Sequence, residues 1–93
     1  MKLSPRQRQI VTRIDRQVTR LMASGRTSQK IDEGLLSMMP QHMTDFKHLL
    51  DTLKPQEMNQ LCQRYAGFYQ FAKMMERIAQ GCAAGIFNDL IAR

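Results

Sequence analysis

Apolar side chains recur along most of this chain with the period of a helix. Between Ser4 and Gly25, the residues Ile10 or Val11, Ile14, Val18 and Leu21 or Met22 follow one another at three- and four-residue steps, which puts them on a single helical stripe. Ser4 can accept a hydrogen bond from a first-turn N–H, Pro5 suits the first helical position because it has no N–H to orphan, and Gly25 can supply the left-handed stop. A second, shorter helix is predicted from Thr27 or Ser28 to about Met38, with Ile31, Leu35 and Met38 or Met39 inward; Gly34 weakens it by about 1 kcal/mol relative to Ala. Pro40 disfavours helical backbone at Met39 and should open a third helix, in which Met43, Phe46, Leu50 and Leu53 keep a 3-4-3 spacing until Lys54-Pro55 ends it.

The longest regular pattern comes next. Met58, Leu61, Tyr65, Phe68, Ala72, Met75 and Ala79 run 3-4-3-4-3-4 without interruption and predict one helix over residues 55–80, roughly 39 Å long. Its other face carries Gln56, Asn59, Gln60, Gln63, Gln70 and Gly67, the last expected to loosen the helix locally. Gly81 is a natural terminator, and Ile86, Phe87, Leu90 and Ile91 predict a short fifth helix. Nothing alternates with period two for long enough to make a strand, and no segment repeats. The expected fold class is therefore all-α, a single domain over residues 1–93 built as a small bundle of four to five helices with one long helix in its C-terminal half. That helix is long for a domain whose radius of gyration should be about 13 Å. It is expected to project or to pair, as a homodimer through its Met, Leu, Tyr and Phe seam, unless the first and third helices cover that seam.

Composition narrows the class. Hydrophobic residues at 43% and charged residues at 24% give a globular balance in place of the signature of disorder. With eight Met, six aromatic residues and no Trp, the core must rely on Leu, Ile and flexible thioethers. No apolar run approaches the roughly 20 residues that span a bilayer, and Met1-Lys2-Leu3-Ser4-Pro5-Arg6 lacks the apolar stretch of a signal peptide. The expectation is a cytoplasmic protein with no membrane partner. On one continuous helix Cys62 and Cys82 would stand roughly 30 Å apart, too far for a disulfide, and buried reduced thiols are expected.

Charge is unevenly placed. Residues 1–30 hold eight basic residues against Asp15 alone, a local +7, whereas residues 31–93 hold six against seven acids and sum to −1. At 100° per residue Arg6, Arg13, Arg16 and Arg20 fall within about 80° of one another and roughly 130° from the apolar stripe. They form a basic ridge. Guanidinium groups are always charged and present a planar fork of donors suited to phosphate oxygens, so Arg6, Arg13, Arg16, Arg20 and Arg26 are candidate nucleic-acid contacts. The alternative is a solvated face, or one that meets an acidic protein surface. No aromatic residues interleave with these arginines, so a stacking platform for single strands is missing here.

Leu3-Ser4-Pro5-Arg6-Gln7-Arg8-Gln9-Ile10-Val11, followed by Gly25-Arg26-Thr27-Ser28-Gln29-Lys30-Ile31, resembles the opening of the LuxR-type helix-turn-helix over 16 positions. Here 20 residues separate Pro5 from Gly25, about eight more than that family's pattern, which adds some two helical turns. The stretch in the recognition-helix position, residues 41–53, is close to neutral, whereas a groove-reading helix usually brings donors for bases and phosphates. The similarity is thus local. A generic helix-turn-helix made by the second and third helices around Met38-Met39-Pro40 is a separate alternative.

Catalytic signatures are lacking. His42 and His48 are six residues apart and point roughly 120° away from each other, so they cannot share an ion as residues four apart can. There is no Gly-rich phosphate loop and no nucleophile elbow, and Asp32-Glu33 at a helix start are explained by the helix dipole. Neither an enzyme nor a cofactor is expected. Phe71 lies off the centre of the long seam, which places an aromatic at a boundary. The leading expectation is a non-enzymatic regulatory or adaptor protein that works by helix-mediated contact with a protein partner or with its own copy, through Phe71, Met74, Met75, Ile86, Phe87 and Leu90. The alternative is a small nucleic-acid-binding regulator that grips phosphate with its basic first helix.

Overall fold

The N-terminal signals act as their chemistry suggests. In the computed structural model, which describes residues 2–80, helix α1 spans Pro5–Met22. The Ser4 hydroxyl accepts from the Gln7 N–H at 3.1 Å, and the Ser4 N–H donates to Gln7 Oε1 at 2.9 Å, a reciprocal cap. Gly25 takes φ +75° in the turn that follows. Ile10, Val11, Ile14 and Val18 are the buried residues of α1, the stripe its spacing predicts.

Two predicted helices are one. Helix α2 runs Ser28–Thr52 with Pro40 inside it, so the turn expected around Met38-Met39-Pro40, and the helix-turn-helix built on it, do not form. Proline removes one helical hydrogen bond and crowds the carbonyl four residues back. Here the damage falls on the solvent side, where Leu36 and Pro40 are both exposed and water can take the freed carbonyl. On the opposite side Leu35, Met39, His42, Phe46 and Leu49 are buried at 4-3-4-3 steps straight across Pro40. Burial of that stripe holds the segment helical, and it displaces Leu50, expected inside, to 37% exposure.

One predicted helix is two. Residues 55–80 form α3, Pro55–Arg64, and α4, Ala66–Gln80, separated by Tyr65 in extended conformation at φ −119° and ψ 102°. The cause lies on α1. Asp15 Oδ1 accepts from the N–H groups of Gly67 at 2.8 Å and Phe68 at 3.2 Å, satisfying two first-turn donors of α4 from another helix. Gly67 does not loosen a helix but permits a close approach: a Cβ there would lie 2.7 Å from Thr19 Oγ1 and 2.9 Å from Asp15 Oδ1. The break also frees α4 to turn about its own axis. Its buried stripe becomes Phe68, Phe71, Met74 and Met75, rotated by roughly 80° from the one the continuous pattern implied.

The described residues thus form an all-helical bundle of four helices in which α4 touches each of the other three and packs most extensively on α1. At its centre the Phe46 ring lies 5.4 Å from Phe71 and 6.0 Å from Phe68, while His42 meets Phe71 edge-on at 5.9 Å. The Cα radius of gyration is 12.9 Å. No 39 Å helix projects from the described residues: α3 and α4 are each short enough to lie within the bundle. Among them no helix is long and apolar enough to cross a membrane. The expected fifth helix, with Ile86, Phe87 and Leu90, and Cys82 lie outside the described residues.

Candidate polyanion interface on the first helix

Burying Ile10, Val11, Ile14 and Val18 turns the opposite side of α1 outward. Arg6, Arg13, Arg16 and Arg20 are all exposed there, within a span of 14 residues or roughly 21 Å along the axis. Arg26 is exposed too, but it sits in the turn before α2, off the helix that aligns the other four.

The acids near the ridge have other engagements. Asp15, the one acid of α1, has its carboxylate turned to the start of α4, where it caps Gly67 and Phe68. Among the described residues, the carboxylate paired with a ridge arginine is Asp45 of α2, 3.9 Å from Arg13 Nη1. At that distance, with the Arg13 side chain 49% exposed, the pair makes no hydrogen bond and offsets little of the guanidinium's charge.

The polar side chains of α1 divide by task. Gln7 closes the N-terminal cap through its Oε1 and donates from Nε2 to Thr52 Oγ1 at 3.0 Å, tying the start of α1 to the end of α2. The Thr12 hydroxyl donates to the Arg8 carbonyl at 2.9 Å. Gln17 Oε1 lies 2.7 Å from His42 Nε2, a geometry in which the ring donates. His42 is buried, and burial pushes its pKa below the ordinary histidine value; the Arg13 charge lowers it further, and Asp45 opposes them both. Gln9 is the exception. It is exposed, its side chain has no hydrogen-bond partner among the described residues, and by helical angle it stands within the arginine arc, between Arg16 and Arg20. Together with Thr12, Arg13, Arg16, Gln17 and Arg20 it lines an open depression of about 310 Å³.

The residues proposed for protein contact are placed differently. Phe71, Met74 and Met75 are 0, 6 and 1% exposed, committed to the core of α4. The aromatic expected at a boundary is not Phe71 but Tyr69, at 41% exposure. Cys62 is a free thiol, half-buried, and burial raises its pKa. Gln9 carries no charge, so the charge pattern does not single it out; its helical angle, midway between Arg20 and Arg16, is the signal in the sequence.

Comparison with protein-family models, with curated proteins and with solved structures found no match.

Proposed function

We propose that the protein is a small non-enzymatic nucleic-acid-binding regulator that grips phosphate through the outer face of α1. The observation that carries this reading is the exposed row Arg6, Arg13, Arg16 and Arg20, with the helix's own acid withdrawn to cap α4. Four guanidinium groups in such a row offer charge-assisted, forked hydrogen bonds to successive phosphates and release condensed counterions on binding. Arg26 adds charge at the end of the helix. The test is fluorescence anisotropy with labelled duplex DNA and RNA at low and moderate salt, comparing the wild type with an Arg13→Ala, Arg16→Ala, Arg20→Ala triple variant. Binding that weakens steeply with salt and with the triple change supports the reading; no binding at low salt ends it.

A second reading, a regulatory or adaptor protein acting by helix-mediated contact, draws on a different surface from the one first expected. Along α2 the side chains Leu36 and Leu50 are 46 and 37% exposed, with Pro40 exposed and Met43 half-buried between them. By helical angle these four fall within about 80°, an apolar row suited to a partner helix or to a second copy of the chain. Light scattering over a hundredfold range of concentration tests the homodimer. A constant monomer mass would remove it.

A further inference from the structure

If α1 binds nucleic acid, as proposed above, its chemistry specifies more than phosphate. We infer that α1 is a reading helix for double-stranded DNA: its outer face enters the major groove, Gln9, Arg13 and Arg16 meet base edges, and Arg6 and Arg20 hold the flanking phosphates. This deepens the phosphate-gripping reading and rests on it.

Shape comes first. The exposed side chains of α1 sweep from Arg8 through Gln9 to Arg6, roughly 160° of the circumference. An α-helix with side chains is about 10–12 Å across, and the major groove of B-form DNA is about 12 Å wide and 8.5 Å deep, so a helix with nearly half its surface open can enter it. From Arg6 to Arg20 the ridge covers roughly 21 Å, or about six base-pair steps.

Side-chain chemistry then separates reading from gripping. A phosphate oxygen can use only the donor half of an amide, whereas a base edge can use its donor and its acceptor together. Gln9 lies between Arg16 and Arg20 by helical angle, exposed and with its side chain unpartnered among the described residues, while the other two glutamines of α1 are committed to Ser4 and Thr52 and to His42. The forked groups of Gln and Arg match the adenine and guanine edges in the major groove. Asp45 lies at the margin, 3.9 Å from Arg13 Nη1, too far to hold the guanidinium by a hydrogen bond, so Arg13 stays available to a base edge.

The same features argue against RNA. The major groove of A-form RNA is deep and narrow and does not admit a helix, and no aromatic side chain stands on the ridge to stack unpaired bases.

The test is selection of bound sequences from a randomised duplex DNA library by the full chain, followed by anisotropy on the best duplex, a scrambled duplex, duplex RNA and heparin. The expected result is an enriched motif of about six base pairs containing G and A, bound at least tenfold more tightly than the scrambled duplex and the RNA. In Gln9→Ala, preference at one motif position should fall about tenfold while the salt dependence stays as in the wild type. Gln9 is exposed, so this variant should keep the wild-type circular dichroism. Equal affinity for all four polyanions with no motif enriched, or tighter binding of duplex RNA, overturns groove reading and leaves phosphate gripping standing. No binding to any of them at low salt overturns both.

Discussion

Gly34 and Gly67 look alike in the sequence, each a glycine inside a helical pattern, yet they meet different neighbours. A Cβ at Gly34 would press on the Leu21 side chain at 2.7 Å, the movable end of a half-buried residue, whereas one at Gly67 would meet Asp15, backbone included, and Thr19. Gly34→Ala should therefore stay within about 1 kcal/mol of wild type in urea denaturation, the gain in helix propensity offsetting a small shift of Leu21. Gly67→Ala should cost at least about 2 kcal/mol, through overpacking and loss of the cap. Equal costs would contradict the close approach of α1 and α4. His42 supplies a dependence on pH. Its folded pKa is lowered by burial, with Arg13 adding to the shift and Asp45 opposing it. The folded state accordingly binds that proton less readily than the unfolded chain, so stability is full above the unfolded value of about 6.5 and is lost as pH falls from there through the folded value. Melting at pH 7.5 and pH 5 should show a smaller acid-induced loss in His42→Gln than in wild type. A variant that loses as much as wild type would remove His42 from the cause.

Helix α2 persists through Pro40 because its buried face is continuous there while the proline faces water. Pro40→Ala restores a helical hydrogen bond without touching Leu35, Met39, His42, Phe46 or Leu49. It should raise stability by roughly 1–3 kcal/mol, read as an increase in melting temperature. A lower melting temperature would mean that the proline shapes the packing of α2. The start of α4 makes the opposite case, a helix end that needs help from elsewhere. Tyr65 precedes it and has no side chain able to cap it, so Asp15 does so across the interface. Asp15→Ala should cost about 1–2 kcal/mol in thermal or urea unfolding, since two buried N–H groups lose their acceptor. A loss below half a kcal/mol would show that α4 begins equally well without it.

For the whole molecule, the charge asymmetry predicts a measurable salt law. Groove reading, with Arg13 and Arg16 on base edges, leaves two phosphate contacts and a slope of log K against log salt of about −1.8; phosphate gripping by all four arginines would instead make the slope about −3.6, and removing Arg13, Arg16 and Arg20 should bring it near −1. Between 50 and 200 mM salt the wild type should then lose roughly a hundredfold in affinity if all four arginines grip phosphate and roughly tenfold if two do, which anisotropy titrations at a series of salt concentrations would measure. A slope unchanged in the triple variant would move the binding surface off α1. The fold tolerates such substitutions because the ridge shares no side chain with the core.

Local chemistry is legible in the chain by itself. The Ser4-Pro5 start, the turn at Gly25, the break at Lys54-Pro55, the apolar stripe of α1 and the arginine row opposite it all follow from interactions within a turn or two of helix, whose partners are near in sequence. Tertiary contact decided the rest. Whether Pro40 ends a helix depends on what lies on its far side, and whether residues 55–80 run straight depends on Asp15, more than fifty residues away in sequence from the amides it caps. Phe71 moved from a boundary to full burial because the break at Tyr65 let α4 rotate, and Gln9 became the one unengaged glutamine of α1 only once Thr52 and His42 had claimed Gln7 and Gln17. Periodicity records which residues prefer to avoid water. It does not record which neighbour will shelter them, and that choice set both the shape of the bundle and the side chains left free on its basic face.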